Sequence, residues 1–424
     1  MEVATVPGPV EPYGREGLPL SEARHRLLED ISPINALTTV LLQEALGRVN
    51  AKSINAPVSI PGFRASIMDG YALGQHHQPT VGQQWALQGR SAPGSPFNRV
   101  LNAGEAIRIL TGAPLPEGAG WVLPQECVET SQTQLNLAAE VSDQPWIRAE
   151  DEECKAGDLL INHGQRLTPS QLGRLAGCGI ATLEVHRKPR IGLLISGDEL
   201  VPAGLERRAG AIWESNSTLL ETILNSLHQV VHAKCVVPDQ PEALRRALAE
   251  LSNTCDVVVS TGGISAGDSD WIRTLVDELG QVSFWKLFLK PGRPFAFGHI
   301  KSQKGSVPFF GLPGNPVAAA VTALQLLWPA LQILEGQQEP EYFPRVKVKL
   351  ANALARRPGR PELARARLEV NANGELMARV SDSQASSRIG SLVQSDLLLE
   401  IPAQTGGLEA GESLWAQLIR SRLL

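Results

Sequence analysis

The period of the apolar positions changes several times along this chain, and the changes divide it. Ser21-Glu-Ala-Arg leads into Leu27-Leu28 as a helix start. Leu37, Val40, Leu41, Ala45, Leu46 and Val49 then recur at helical spacing, so two helices are expected between residues 21 and 49. Residues 1–16, rich in Pro, Gly and Glu, have no such pattern and read as a tail. Past Asn55, short β-type runs at 106–110, 121–124 and 135–141 are broken by Pro, Gly and Asn, which predicts an inserted β domain over 62–150. A helix over 170–177, opened by Thr168-Pro169, then rejoins the opening segment, so 17–61 and 151–187 together form a helical linking domain.

From Lys188 apolar strands alternate with amphipathic helices. Strands are expected at 191–195, 230–237 and 257–259, and helices at 217–227, 241–251 and 271–279. Elements of these lengths in this order predict a doubly wound parallel α/β sheet over 188–340, and the unbroken apolar run after Asp256 suits a strand covered on both faces. Beyond Pro340 the period falls to two, as in Arg345-Val-Lys-Val-Lys-Leu350, so a small antiparallel β domain is expected over 341–424. The fold class is therefore multidomain α/β plus β.

Composition narrows the partners more than the fold. A net charge of −5 gives no long-range attraction for nucleic acid or an anionic membrane. The N-terminus lacks a basic and apolar leader, and no uninterrupted apolar run approaches the roughly 18 residues of a spanning helix, so a cytoplasmic protein is expected. The 5 cysteines have no CxxC spacing, and the histidines no HxxxH pair, which argues against a zinc site or a disulfide framework.

In an open parallel sheet the ligand crevice lies beyond the carboxyl ends of the strands, so the loops following the strands carry the candidate chemistry. They read Ser196-Gly-Asp-Glu-Leu200, Pro238-Asp239, Ser260-Thr-Gly-Gly-Ile-Ser-Ala-Gly-Asp-Ser-Asp270 and Gly311-Leu-Pro-Gly-Asn-Pro316. Gly262, Gly263 and Ser265 offer a backbone that can approach a phosphate, although a tight strand-to-helix turn asks for the same glycines. Pro313, Gly314, Asn315 and Pro316 start a helix whose N-terminus suits an anion, or simply cap a core helix. Glu199, Asp239 and Asp270 supply oxygen ligands of the kind Mg²⁺ takes, whereas Asp198 and Asp268 suit helix capping. Lys286, Lys290 and Arg293 surround a Pro-Gly turn suited to an anion, or are solvated on an edge strand. Asp69, before Gly70, has the form of an ordinary turn residue, and spacing alone does not decide its role.

Taken together, SIMDGYA, RILTGAPLP, SGDEL, STGGISAGDSDW, FWKLFLKPGRPFAFG and GLPGNPVAAA resemble the MoeA and gephyrin E-domain family in wording and order, from about residue 18 to the C-terminus. The resemblance implies an elongated homodimer whose active site lies between the α/β domain of one subunit and the inserted domain of the other. It implies a molybdopterin molybdenumtransferase, which inserts molybdate into adenylyl-molybdopterin and releases AMP with Mg²⁺ present. Carried over by motif, Asp69, Thr111, Glu199, Asp239, Asp270, Lys286, Lys290, Pro313 and Pro316 match functional positions. Asp151-Glu152-Glu153 stands where the family commonly has Gly-Glu-Asp, so Glu153 would replace an Asp among the metal ligands, and Arg360 and Ser386 match loosely. Transient docking to the molybdopterin adenylyltransferase and to cofactor-accepting enzymes is implied as well. Two rivals stand beside this reading: the adenylyltransferase itself, which shares the α/β fold, and a peptide-binding scaffold.

Overall fold

The computed structural model describes residues 17–263, 271–381 and 383–419. A helix at Leu20–Asp30 opens the chain. The second expected helix does not form: Leu37–Leu41 is a strand paired antiparallel with Thr182–His186, and only a short 3₁₀ turn, Leu42–Glu44, follows. Thr38-Thr39-Val40 explains the difference. Three consecutive β-branched side chains lose rotamer freedom in a helix and fit a pleated strand, and this outweighs a helical spacing spread over few residues. The rejoining helix, Pro169–Gly177, does form. The Thr168 hydroxyl accepts from the backbone N–H of Gln171, whose side chain returns the bond to the Thr168 N–H, and Pro169 occupies the first turn.

The inserted segment holds a six-stranded sheet in the order Trp121–Pro124, Gly70–Leu73, Glu105–Ile109, Gln84–Ser91, Gln134–Leu137 and Val128–Thr130. The C-terminal segment closes into a five-stranded barrel.

Between them lies the α/β sheet, built from β1 (Ile191–Ser196), β2 (Val231–Val237), β3 (Val257–Thr261), β4 (Gly280–Trp285), β5 (Ala296–Ser302) and β6 (Gly305–Leu312), in the order β2-β1-β3-β6-β5-β4. The first four in that order are parallel, as expected, whereas β5 runs antiparallel to both its neighbours, β6 and the edge strand β4. The turn at Ser302–Gly305 accounts for this, because a connection so short can only join antiparallel neighbours. Helices α1 (Asn216–Ser226), α2 (Pro241–Thr254), α3 (Trp271–Leu279) and α4 (Pro316–Thr322) cover the sheet. Ile191, Leu193 and Ile195 of β1 pack in one core with Leu220 and Leu224 of α1 and Val317 of α4. Leu194 packs in a second core with Leu244 and Leu248 of α2 and Leu275 of α3. Every residue of β1 is buried. At about 1.5–3 kcal/mol for each fully buried aliphatic side chain, that single strand anchors both layers.

The helical stretch Pro316–Leu334 is long and apolar enough to cross a membrane by length and composition, yet 89% of its most apolar window is buried inside the fold, so its surroundings are protein. Its small residues, Ala318, Ala319 and Ala320, are almost wholly buried, and this lets the helix lie close on the sheet.

Candidate active site

A cleft of about 1030 Å³ opens at the carboxyl ends of β1, β3 and β6, between the α/β sheet and the C-terminal barrel. The loops after these strands form its floor because a parallel sheet delivers all its carboxyl ends to one edge. After β3 the chain turns through Gly262 (φ +93°) and Gly263 (φ +62°), left-handed conformations that favour glycine. A methyl group on Gly262 would come within 2.2 Å of the Ser196 carbonyl oxygen, so this turn is also a close backbone approach. Asn216, at the start of α1, ties the floor together: its amide donates to Thr261 Oγ1 at 2.9 Å and to the Gly314 carbonyl at 2.7 Å. Thr261 Oγ1 in turn donates to the Pro313 carbonyl at 3.0 Å. Glu214 fixes the helix start by accepting from the Ser217 N–H at 2.8 Å and the Ser217 hydroxyl at 2.5 Å.

One wall is acidic. Glu199 is exposed in the cleft, and Asp239 lies half-buried beside it. Burial pushes the Asp239 carboxyl above its ordinary value, the Ser196 hydroxyl opposes this, and the nearby Asp198 and Glu199 carboxylates push it further up. Asp198 serves the backbone, its Oδ1 accepting from the Asp239 N–H at 3.1 Å. Asp239 Oδ1, Ser196 Oγ, Asn216 Oδ1 and Ser260 Oγ are buried without a hydrogen bond of good geometry among the described residues, so the Ser196 hydroxyl lies near the Asp239 carboxyl without satisfying it. Unpaired polar atoms cost about 1–3 kcal/mol each, and their concentration at the strand ends marks a place where a ligand or water completes the set.

The opposite wall is basic. Lys290, Arg293 and Arg360 line it. Lys290 Nζ lies 2.9 Å from Glu362 Oε1, a carboxylate only 2% exposed. The Lys290 N–H donates to the Pro361 carbonyl at 2.9 Å, and its carbonyl accepts from the Leu363 N–H at 2.8 Å, so the barrel is stitched directly to this loop. Arg360 Nη1 donates to the Leu289 carbonyl at 3.0 Å. Burial pulls the Arg360 pKa down, as does the neighbouring Arg293 cation, and Glu362 opposes both.

Of the residues singled out in the sequence, Glu199, Asp239, Gly262, Gly263, Lys290, Pro313, Gly314, Asn315 and Pro316 line this cleft. Asn315 stands at the N-cap of α4 but its side chain makes no capping bond, and Pro316 takes the first turn. Ser265 and Asp270 lie outside the described residues. Lys286 does not line the cleft: its backbone has φ +89°, and its N–H donates to the Phe295 carbonyl at 2.8 Å. Glu153 is also elsewhere, exposed and paired with Arg174 at 3.1 Å. Asp69 and Thr111 are brought together in the inserted sheet, where Asp69 Oδ1 accepts from both the N–H and the hydroxyl of Thr111 at 2.8 Å. Those two bonds hold the exposed Asp69 carboxyl below its ordinary pKa. Arg360 and Ser386, matched only loosely by motif, both line the cleft. Asn216 escaped sequence reasoning, although Glu214-Ser-Asn-Ser217, a run of capping residues just before a predicted helix, was the available signal.

Among the described residues no three His, Cys, Asp or Glu side chains converge as a metal cage. Mg²⁺ does not require one, since it commonly uses one or two carboxylates and takes its remaining ligands from water and substrate phosphate. The unpartnered Asp239 Oδ1 and the adjacent Glu199 fit that mode.

Comparison with known proteins agrees along almost the whole chain. The MoeA N-terminal region (domain I and II) matches residues 18–179, a probable molybdopterin binding domain matches 192–333, and the MoeA C-terminal region (domain IV) matches 347–419. The chain is 33% identical over 401 residues to a molybdopterin molybdenumtransferase of Haemophilus influenzae, covering 94% of this chain and 97% of that one. It is 30% identical over 447 residues to a gephyrin of Dictyostelium discoideum, covering 95% of this chain and 62% of the relative. A solved MoeA structure from Pyrococcus horikoshii OT3 superposes with a TM-score of 0.79 at 28% identity, covering 95% of this chain and 99% of that one. By its three matched regions, its relatives and its structural neighbour, the chain belongs to the MoeA family.

Proposed function

We propose that this chain is a molybdopterin molybdenumtransferase, which inserts molybdate into adenylyl-molybdopterin, releases AMP and yields molybdenum cofactor. The observation that carries this reading is the bipolar cleft, with unpartnered Asn216 Oδ1 on its floor, Glu199 and Asp239 on its acidic wall, and Lys290, Arg293 and Arg360 on its basic wall. A phosphate-linked nucleotide and an oxyanion both need cations and N–H donors, and cleaving the linkage needs positioning and charge neutralisation rather than a covalent nucleophile. The sulfurs that receive molybdenum belong to the pterin, so the chain's own cysteines have no part to play.

In this mechanism the glycine turn at 262–263 lets phosphate oxygens approach the backbone, Asn216 keeps the three floor loops in register, and Lys290 with Arg360 holds the incoming oxyanion. Glu199 and Asp239 would hold Mg²⁺ against a phosphate, where it would neutralise charge on the departing AMP. Asp270 belongs to the same proposal by motif. The exposed Asp69–Thr111 pair does not line the cleft of its own chain, and it acts if a second copy of the chain lays its inserted domain over the cleft, giving a homodimer with shared active sites. A cytoplasmic setting, with transient docking to the adenylyltransferase and to cofactor-accepting enzymes, accompanies this reading.

The test is AMP release from adenylyl-molybdopterin by the purified chain with Mg²⁺, with and without molybdate. Release that depends on molybdate is expected. No molybdate-dependent AMP release, together with ATP-dependent adenylylation of molybdopterin that releases pyrophosphate, would point to the adenylyltransferase instead.

A further inference from the structure

The lip of the cleft differs in character from its walls. Between Glu199 and Glu214 the chain forms a flap in which Leu200 and Val201 pair in parallel with Ile212 and Trp213. Two backbone bonds of 2.8 Å, from the Ile212 N–H to the Glu199 carbonyl and from the Glu214 N–H to the Val201 carbonyl, join Trp213 to the segment that carries Glu199. On the other side Trp213 adjoins Glu214, the carboxylate that fixes the start of α1. Trp213 lines the cleft and is nevertheless 51% exposed. Its indole N–H donates to the Leu205 carbonyl at 3.0 Å, and the Arg207 guanidinium carbon lies 4.8 Å from the ring centroid. A large apolar ring is thus left in water at a polar site, while its polar edge and an adjoining cation hold it in place. An immobilised ring of this kind loses little entropy when a flat heterocycle stacks on it, and such stacking tolerates any ring with a π-face.

We propose that Trp213 is a binding residue of this site, the stacking platform for the planar nitrogen heterocycle of the substrate. The inference rests on the function proposed above and adds a recognition element to it. Adenine and pterin share the chemistry, so the experiment separates them. Full-length Trp213→Ala and Trp213→Phe variants are compared with the parent in two assays: molybdate-dependent AMP release, and calorimetric titration with AMP and with 6-hydroxymethylpterin. The platform predicts that Trp213→Ala raises KM for adenylyl-molybdopterin about tenfold, which corresponds to about 1.4 kcal/mol, with kcat changed by less than about twofold, and that Trp213→Phe restores most of the affinity. A matching loss in the AMP titration assigns adenine, and a loss in the pterin titration assigns pterin. Unchanged KM and unchanged titrations would overturn the proposal, as would a defect confined to kcat or to the dimer fraction in sedimentation. If the parent shows no molybdate-dependent release, the proposed function fails, and the two titrations still decide whether Trp213 stacks on a ring.

Discussion

The cleft at the end of the α/β sheet and the Asp69–Thr111 pair in the inserted sheet are both rich in chemistry, yet they are built in opposite ways. The cleft draws residues from loops far apart in sequence: Asn216 bonds to Thr261 and Gly314, and Lys290 is fixed by the barrel through Glu362. It has a floor, two charged walls and unpartnered polar atoms. The pair is equally well organised, with two 2.8 Å bonds on one carboxylate oxygen, but it is exposed and does not line the cleft. A preorganised carboxylate facing only water acts on something brought to it. Under the function proposed above, the difference separates a site completed by small ligands from one completed by a second copy of the chain.

The strongest way to break this comparison is to disable each region in turn. Glu199→Ala is expected to lower molybdate-dependent AMP release by about 100-fold or more, as removal of charge stabilisation typically does. Asp69→Ala should cost a similar factor with only a small drop in the urea midpoint at neutral pH, because the two hydrogen bonds lost to Thr111 are exposed. Retention of activity in Asp69→Ala would leave the inserted domain without a role in the reaction.

The next effect is on stability, and a pair of glycines compares the regions directly. Gly262→Ala forces a side chain into a left-handed position and against the Ser196 carbonyl, so a loss of about 2 kcal/mol or more is expected in urea unfolding. Gly112→Ala, beside Thr111, has a similar φ of +77° but meets only a Pro93 side-chain carbon at 4.0 Å, so about 1 kcal/mol is expected. Equal losses would mean that the floor of the cleft is no more tightly built than an ordinary turn.

A smaller effect has the opposite sign. Because the Asp239 carboxyl is raised in the folded protein, its charged form at neutral pH opposes folding, and this penalty fades as pH falls toward the ordinary carboxylate range. Asp239→Asn should therefore stabilise the protein slightly near pH 7 while impairing AMP release, and the gain should fade as pH falls toward the ordinary carboxylate range. Urea midpoints measured across that range check it; a variant less stable than the parent at neutral pH would contradict the assigned burial and repulsion. The smallest change is expected from Thr111→Val, which removes the hydroxyl but keeps the backbone N–H. The Asp69 carboxyl should move only part of the way back toward its ordinary pKa in an NMR titration.

Much of this architecture is legible in the sequence because it is encoded locally. β1 and β3 announce themselves as apolar runs, and the helix at Pro169–Gly177 by a complete capping box. Residues 37–41 mislead because their apolar spacing suits a helix, whereas their β-branched content and their partner, Thr182–His186, lie in a strand pairing that no local window contains. Within the site, residues in loops after strands are found by position. Asn216 and Trp213 are not, since their roles depend on neighbours far along the chain or across a flap. Glu153 shows the converse: a motif position carries it toward a metal site, but in the single chain its carboxylate pairs with Arg174.

Mixing subunits tests the central claim most directly, namely that the cleft of one chain works with the Asp69–Thr111 pair of another. Asp69→Ala and Glu199→Ala chains, each inactive alone, are unfolded, mixed in equal amounts, refolded together and assayed for molybdate-dependent AMP release. Half of the random dimers then pair the two variants, and each such dimer has one intact composite site, so recovery of about a quarter of the parent activity is expected. Activity no higher in the mixture than in either variant alone, in refolded dimers shown to have exchanged chains, would contradict a cleft shared between subunits.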